Sequence, residues 1–94
     1  MFKDLDPLLH SQLRLAIISM LVGCEKADFT YVKKETKATA GNLSVQVKKL
    51  QDAGYIKVEK SFKNNYPNTT LSITKEGIKA FQVYVENLKK YLNP

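Results

Sequence analysis

The chain has 94 residues, 44% of them hydrophobic, with a net charge of +6. That is enough apolar matter for one small core and argues against a disordered chain. No apolar run approaches the ~20 residues that span a bilayer. One cysteine and one histidine exclude an internal disulfide and any familiar zinc spacing.

Asp6-Pro7 predicts the start of a first helix, with a capping residue followed by a proline at the first helical position. Leu9, Leu13, Ala16, Ile17, Met20 and Leu21 then recur at three- and four-residue spacing and predict one broad buried face, ended by Gly23. "LRLAIISMLVG" is too short to span a membrane. Acidic Asp4 and Asp6 precede it and no small-residue cleavage site follows, so a cytoplasmic protein is the expectation. Cys24 reads as a buried structural thiol, with a redox-sensing thiol as the alternative. His10 reads as a partly exposed helix residue.

"ADFTYVKKETKA" predicts a short second helix, with Asp28 as cap, Phe29 and Val32 packing, and Lys33, Lys34 and Lys37 outward. Ala27 to Phe29 can form a short strand before it. Thr39 predicts the cap of a third helix running to about Ala53, with Gly54 as its left-handed terminator. "YIKVEKSF" alternates, with Ile56 and Val58 inward, and predicts a strand. "KNNYPN" predicts an exposed hairpin loop, and "TTLSIT" a returning strand with Leu71 and Ile73 inward. Thr74 then caps a last helix. The order is helix, helix, helix, hairpin, helix, in a single domain over 1–94, with the hairpin at about 55–74 and the last helix at about 75–92. The fold class expected is mainly α with a small β-hairpin.

On a helical wheel of the third helix, Leu43, Val47 and Leu50 fall within about 60°. Gly41, Val45, Lys48, Lys49 and Asp52 lie opposite, with Asn42 and Ser44 on the flanks. Short polar residues in the first turns let a helix end approach base edges in a major groove, and Val45 can meet a thymine methyl. Lysines further along reach phosphates. An ordinary amphipathic core helix with a wet face is the competing reading. Charge sides with the first. Between Lys33 and Lys63 eight lysines stand against three acids, leaving +5 of the +6 in the middle third of the chain. A basic stripe of this kind is the electrostatic footprint of a polyanion partner.

"LHSQLRLAIISML", "DFTYVKK", "TAGNLSVQVKKLQDAGYIKVEKSF" and "TTLSITKEGIKAF" together resemble the small winged-helix transcriptional regulators related to the MarR and ArsR groups. The resemblance covers roughly residues 8 to 85. It implies that the helix holding Asn42, Ser44, Val45 and Lys48 enters the major groove and that the loop at 63–68 is the wing. Two positions depart from the family. The wing carries Lys63 and asparagines in place of arginine, and Ile78 stands where a basic residue is common. Wheel, charge and resemblance together give a DNA-facing set of Lys33, Lys37, Thr39, Gly41, Asn42, Ser44, Val45, Lys48, Lys49, Lys60, Lys63, Asn64, Asn65 and Tyr66.

In the last helix Ile78, Phe81, Val85, Leu88 and Leu92 recur in steps of three and four, a heptad seam, with Tyr84 and Tyr91 in a second row. One small domain does not easily cover both rows. This predicts a homodimer through Leu8, Leu9, Phe81, Tyr84, Val85, Leu88, Tyr91 and Leu92, against the alternative of packing on helix one alone. Gly77, in the first turn, reads either as a point of close backbone approach or as an ordinary helix-start glycine.

The partner expected is double-stranded DNA, read with sequence specificity. A winged-helix protein-interaction module is the alternative function. No paired carboxylates, phosphate-cradling glycine loop or histidine-based nucleophile occurs, so an enzyme is not expected. The sequence calls for no cofactor or metal and assigns no effector.

Overall fold

A computed structural model describes residues 2–94. Its elements are α1 (Gln12–Cys24), β1 (Lys26–Asp28), α2 (Phe29–Thr36), α3 (Ala40–Asp52), β2 (Ile56–Lys63), β3 (Tyr66–Ile73) and α4 (Lys75–Leu92). This is the winged helix-turn-helix order read from the sequence, with the short strand near Ala27 included.

α1 is the hub. Ile17, Ile18 and Leu21 are buried, because α1 touches α2, α3, α4, β1 and β3 and so has no single solvent face. Val32 enters this core from α2, Leu43, Val47 and Leu50 from α3, Ile56 from β2 and Leu71 from β3. Each large side chain removed from water contributes ~1.5–3 kcal/mol.

Two expectations for α1 need correction. Asp6-Pro7 does not start it. The Asp6 carboxylate accepts the Leu8 N–H at 2.9 Å, and the Asp6 carbonyl accepts from Leu9 and His10. A closed turn results, and the helix begins only after extended Ser11. At the other end Gly23 lies inside the helix, and Glu25 (φ 69°) carries the reversal. Cys24 then falls on the exposed last turn and is not a buried thiol. His10 lies in the turn, outside the helix, where its Nδ1 shares a 3.0 Å hydrogen bond with the Tyr84 hydroxyl.

The helix-turn-helix follows the local signals. Lys37, in the left-handed region (φ 59°), ends α2, and Thr39 Oγ1 caps α3 by accepting the Asn42 N–H at 3.1 Å. Gly54 (φ 81°) takes the conformation that lets the chain leave α3 for β2. Asp28 stands at the N-cap of α2 without capping it. Its carboxylate instead accepts from Asn68 and Thr70 of β3.

The sheet is antiparallel in the order β1-β3-β2. Its hairpin is longer than "KNNYPN" suggested. β2 and β3 pair from Ile56↔Ile73 out to Lys63↔Tyr66, so the loop is only Asn64-Asn65. Both have positive φ (53° and 68°), as a two-residue type I′ turn requires. Tyr66, Pro67 and Asn68 are strand residues. The tip of the hairpin is exposed on both strands, and the molecule extends 53 Å along its longest axis against 25 and 21 Å across.

Thr74 caps α4, with Oγ1 accepting the Gly77 N–H at 3.0 Å. Packing on α1 selects the row one position off the heptad seam. Tyr84 is only 3% exposed and Gly77 is buried, whereas Leu92 is 69% exposed and Phe81, Val85 and Leu88 are half-buried. Leu9 is also buried in the core. Leu9 and Tyr84 are therefore core residues of the single chain and offer no free surface to a second copy. Tyr91 is engaged within the chain as well, since its hydroxyl donates to the Lys3 carbonyl at 2.8 Å and its ring lies 5.0 Å from that of Phe2.

Candidate nucleic-acid interface

With Leu43, Val47 and Leu50 buried, the rest of α3 is held out to solvent. Thr39, Gly41, Asn42, Ser44, Lys48 and Lys49 are exposed, and Val45 is 52% exposed. Lys33 and Lys37, at the end of α2, are exposed beside the start of α3. Among the described residues nothing covers this face.

Internal bonds pre-arrange part of it. Gln46 Nε2 donates to Asn42 Oδ1 at 3.1 Å, and Arg14 donates to Gln46 Oε1. Arg14 is itself held by its Nε donating to the Leu8 carbonyl at 2.6 Å. A chain of hydrogen bonds thus runs from the core helix to the Asn42 amide and leaves its N–H2 group pointing away from the bond. Lys48 pairs with Asp52 at 2.7 Å, one turn along. Such an exposed i,i+4 pair is worth little, so a phosphate can displace the carboxylate at small cost.

Pairing sorts the hairpin residues onto two faces, because residues opposite each other in the ladder project the same way. Ile56, Val58, Leu71 and Ile73 share the core-facing side, and Lys60, Thr69, Phe62 and Pro67 continue it outward. A crevice between hairpin and α3 is lined by Ser44, Lys48 and Gln51 on one wall and Val58, Lys60 and Thr69 on the other. The opposite face holds Lys63, Tyr66, Asn68 and Thr70. There Lys63 Nζ lies 3.9 Å from the Asp28 carboxylate.

The DNA-facing set of the sequence reading therefore divides. Lys33, Lys37, Thr39, Gly41, Asn42, Ser44, Val45, Lys48, Lys49 and Lys60 belong to α3 and its immediate surroundings. Asn64 and Asn65 form the tip. Lys63 and Tyr66 lie on the far side of the hairpin from α3. Gln46, Arg14, Phe62 and Pro67 bear on the same surface and were missed. Continued alternation from Ile56 through Val58 and Lys60 carried the signal for Phe62.

Helix, turn, helix and basic hairpin are the parts of a known family, and comparison decides the matter. A profile of the winged helix DNA-binding domain matches residues 13–92. The chain belongs to the winged helix DNA-binding domain family. An uncharacterised protein of Methanocaldococcus jannaschii is 34% identical over 76 residues, 81% of this chain and 83% of that protein. A transcriptional regulator homologue of Pyrococcus horikoshii has the same fold, with a TM-score of 0.86 at 28% identity, covering 92% of this chain and 85% of that one. The transcriptional regulator BldR of Sulfolobus solfataricus matches with a TM-score of 0.74 at 20% identity, over 88% of this chain and 58% of its own. That last likeness speaks to the fold alone. The winged helix described here is a DNA-binding domain, and the solved structures that share its fold include transcriptional regulators.

Among the described residues no helix is long and apolar enough to cross a membrane.

Proposed function

We propose that the protein is a transcriptional regulator that binds double-stranded DNA with sequence specificity. α3 enters the major groove and the β2–β3 hairpin lies over the flanking backbone or minor groove. The observation that carries this reading is the free polar and basic side of α3. Three buried leucine and valine residues anchor the helix, while Asn42, Ser44 and Val45 stand in its first turns and Lys48 and Lys49 beyond them. Short side chains at the helix start suit base edges, and lysines further along suit phosphates.

We further propose a homodimer. The support is the row on α4 that α1 leaves open, from Ile78 through Phe81 and Val85 to Leu92, with half-buried Leu88 beside it; Leu8, half-buried ahead of α1, joins the proposed interface. A two-fold dimer places two copies of α3 on half-sites about one helical turn apart. The cytoplasm is the compartment this reading assigns, with DNA as the partner. The competing function, a protein-interaction module, uses the same open row and leaves α3 idle.

Selection of bound duplexes from a random pool tests the proposal. Enrichment of a two-fold symmetric sequence supports it. Recovery of unenriched sequence from a protein that binds duplex only weakly supports the interaction module instead.

A further inference from the structure

The tip of the hairpin carries an exposed apolar pair. Phe62 is 78% exposed, and its ladder partner Pro67 is exposed too. The two-residue turn makes Lys63↔Tyr66 the hydrogen-bonded pair that closes the hairpin, so Phe62↔Pro67 is the next, non-hydrogen-bonded pair. Two consequences follow. The side chains of such a pair stand close together, and the missing N–H of Pro67 removes no bond from the β2–β3 ladder. Its nitrogen faces the free flank of β3, since β1 reaches only Thr70. Phe62 and Pro67 thus form a compact apolar block on a paired, rigid stretch of strand.

Its direction is set by the register. Phe62 and Pro67 lie on the same face as Lys60 and Thr69, which line the crevice opposite Ser44 and Lys48 of α3. The block stands one pair beyond that crevice, ~7 Å further along the strand from Lys60 and ~20 Å from Ile56 at the hairpin root. It continues the basic face of α3 outward, with Lys60 between them.

On these grounds we infer that Phe62 and Pro67 form an apolar wedge for the DNA minor groove beside the segment read by α3. The inference rests on the DNA-binding reading proposed above. The occupant follows from continuity with the α3 face and from the cation on the wedge's own face, Lys60. Minor-groove walls present deoxyribose, and apolar side chains inserted there part a base step and bend the duplex toward the major groove. Lys60 anchors the flanking phosphate. Deformable pyrimidine–purine steps are the flanks such a wedge favours, so the hairpin adds selectivity without hydrogen bonds to bases.

The test uses the full chain and a duplex chosen from the random pool, with 2-aminopurine at the flanking step. Wild-type protein is expected to raise its fluorescence as the step opens. Phe62→Ala is expected to abolish that rise and weaken binding about tenfold, without changing the salt dependence, because no charge is lost. Lys60→Ala is expected to lower the salt slope. Three results overturn the wedge. In the first, wild type binds with no fluorescence rise. In the second, Phe62→Ala matches wild type in both readouts. In the third, Phe62→Ala alters only the sedimentation of the free protein, which assigns the pair to self-association. In all three the DNA-binding reading survives. If wild type binds no duplex, both readings fall together.

Discussion

Gly77 packs against the backbone carbonyl of Tyr55 so closely that a Cβ at position 77 would collide with the carbonyl oxygen. The carbonyl cannot step aside freely, because it accepts the Thr74 N–H at 3.1 Å. Thr74 Oγ1 also donates to the Gly54 carbonyl at 2.6 Å and caps α4. Four residues thus lock the root of the hairpin to the start of α4. Of the two readings of Gly77 offered by the sequence, close backbone approach is the right one.

Gly77→Ala sets two effects against each other. Alanine gains ~1 kcal/mol of helix propensity, while overpacking against backbone costs ~1–3 kcal/mol and more where nothing can yield. The clash wins, since the obstacle is a hydrogen-bonded carbonyl. Urea unfolding should show a net loss of stability of about 1–2 kcal/mol. An unchanged midpoint would mean that the hairpin root shifts at no cost.

The Tyr55 hydroxyl donates to the Asp6 carboxylate at 2.6 Å. That hydrogen bond, helped by burial and by the nearby negative charge, pushes the phenol up from 10.0 to about 12. A proton held more tightly in the folded chain stabilises it fully below pH 10, and that contribution disappears as pH rises from 10 toward 12. Tyr55→Phe should cost ~1 kcal/mol at neutral pH and should lose stability less steeply than wild type in the alkaline range. Parallel pH profiles for the two proteins would contradict the assignment.

The turn at Asn64-Asn65 holds two side-chain-bearing residues at φ 53° and 68°. Asn65→Gly should relieve the second and stabilise the hairpin by up to ~1 kcal/mol, because Asn-Gly is the favoured type I′ pair. Asn64→Val should fray the tip, since a β-branched residue resists positive φ. Amide exchange along β2 and β3 reads both. Slower exchange in the valine variant would be incompatible with this turn.

How much of this was legible depended on how local each signal was. Thr39, Gly54 and Thr74 act on their own neighbours, so α3 and the start of α4 could be placed from sequence. Asp6-Pro7 misled because the Asp6 side chain is drawn into a turn and onto Tyr55, 49 residues away. Asp28 was drawn off in the same way by Asn68 and Thr70. Pro67 looked like a loop residue, yet it occupies a ladder position that needs no N–H. For α4 the heptad pattern was real, but which row α1 covers depends on packing angle and was invisible. The assignment of α3 to the major groove leaned on family resemblance as well as on the wheel.

Gln46 offers a test of pre-arrangement within α3. Gln46→Ala removes the bond to Asn42 Oδ1 and leaves Arg14 without that acceptor. It should weaken binding to the selected duplex by about three- to tenfold, as a freed Asn42 amide must be ordered on binding. Random duplex should be bound as before. Equal losses on both duplexes would assign Gln46 to general stability.

The central claim is that the free side of α3 reads DNA, and the most direct measurement compares two substitutions on it by fluorescence anisotropy. Wild type should bind its selected duplex with log K falling by about 0.9 per phosphate neutralised for each log unit of salt. Lys48→Ala should weaken selected and random duplex alike. Asn42→Ala should lose preference at one base position, by ~1–3 kcal/mol, and leave random binding intact. Equal effects of both substitutions on both duplexes, or no binding at tens of micromolar protein in low salt, would contradict the account.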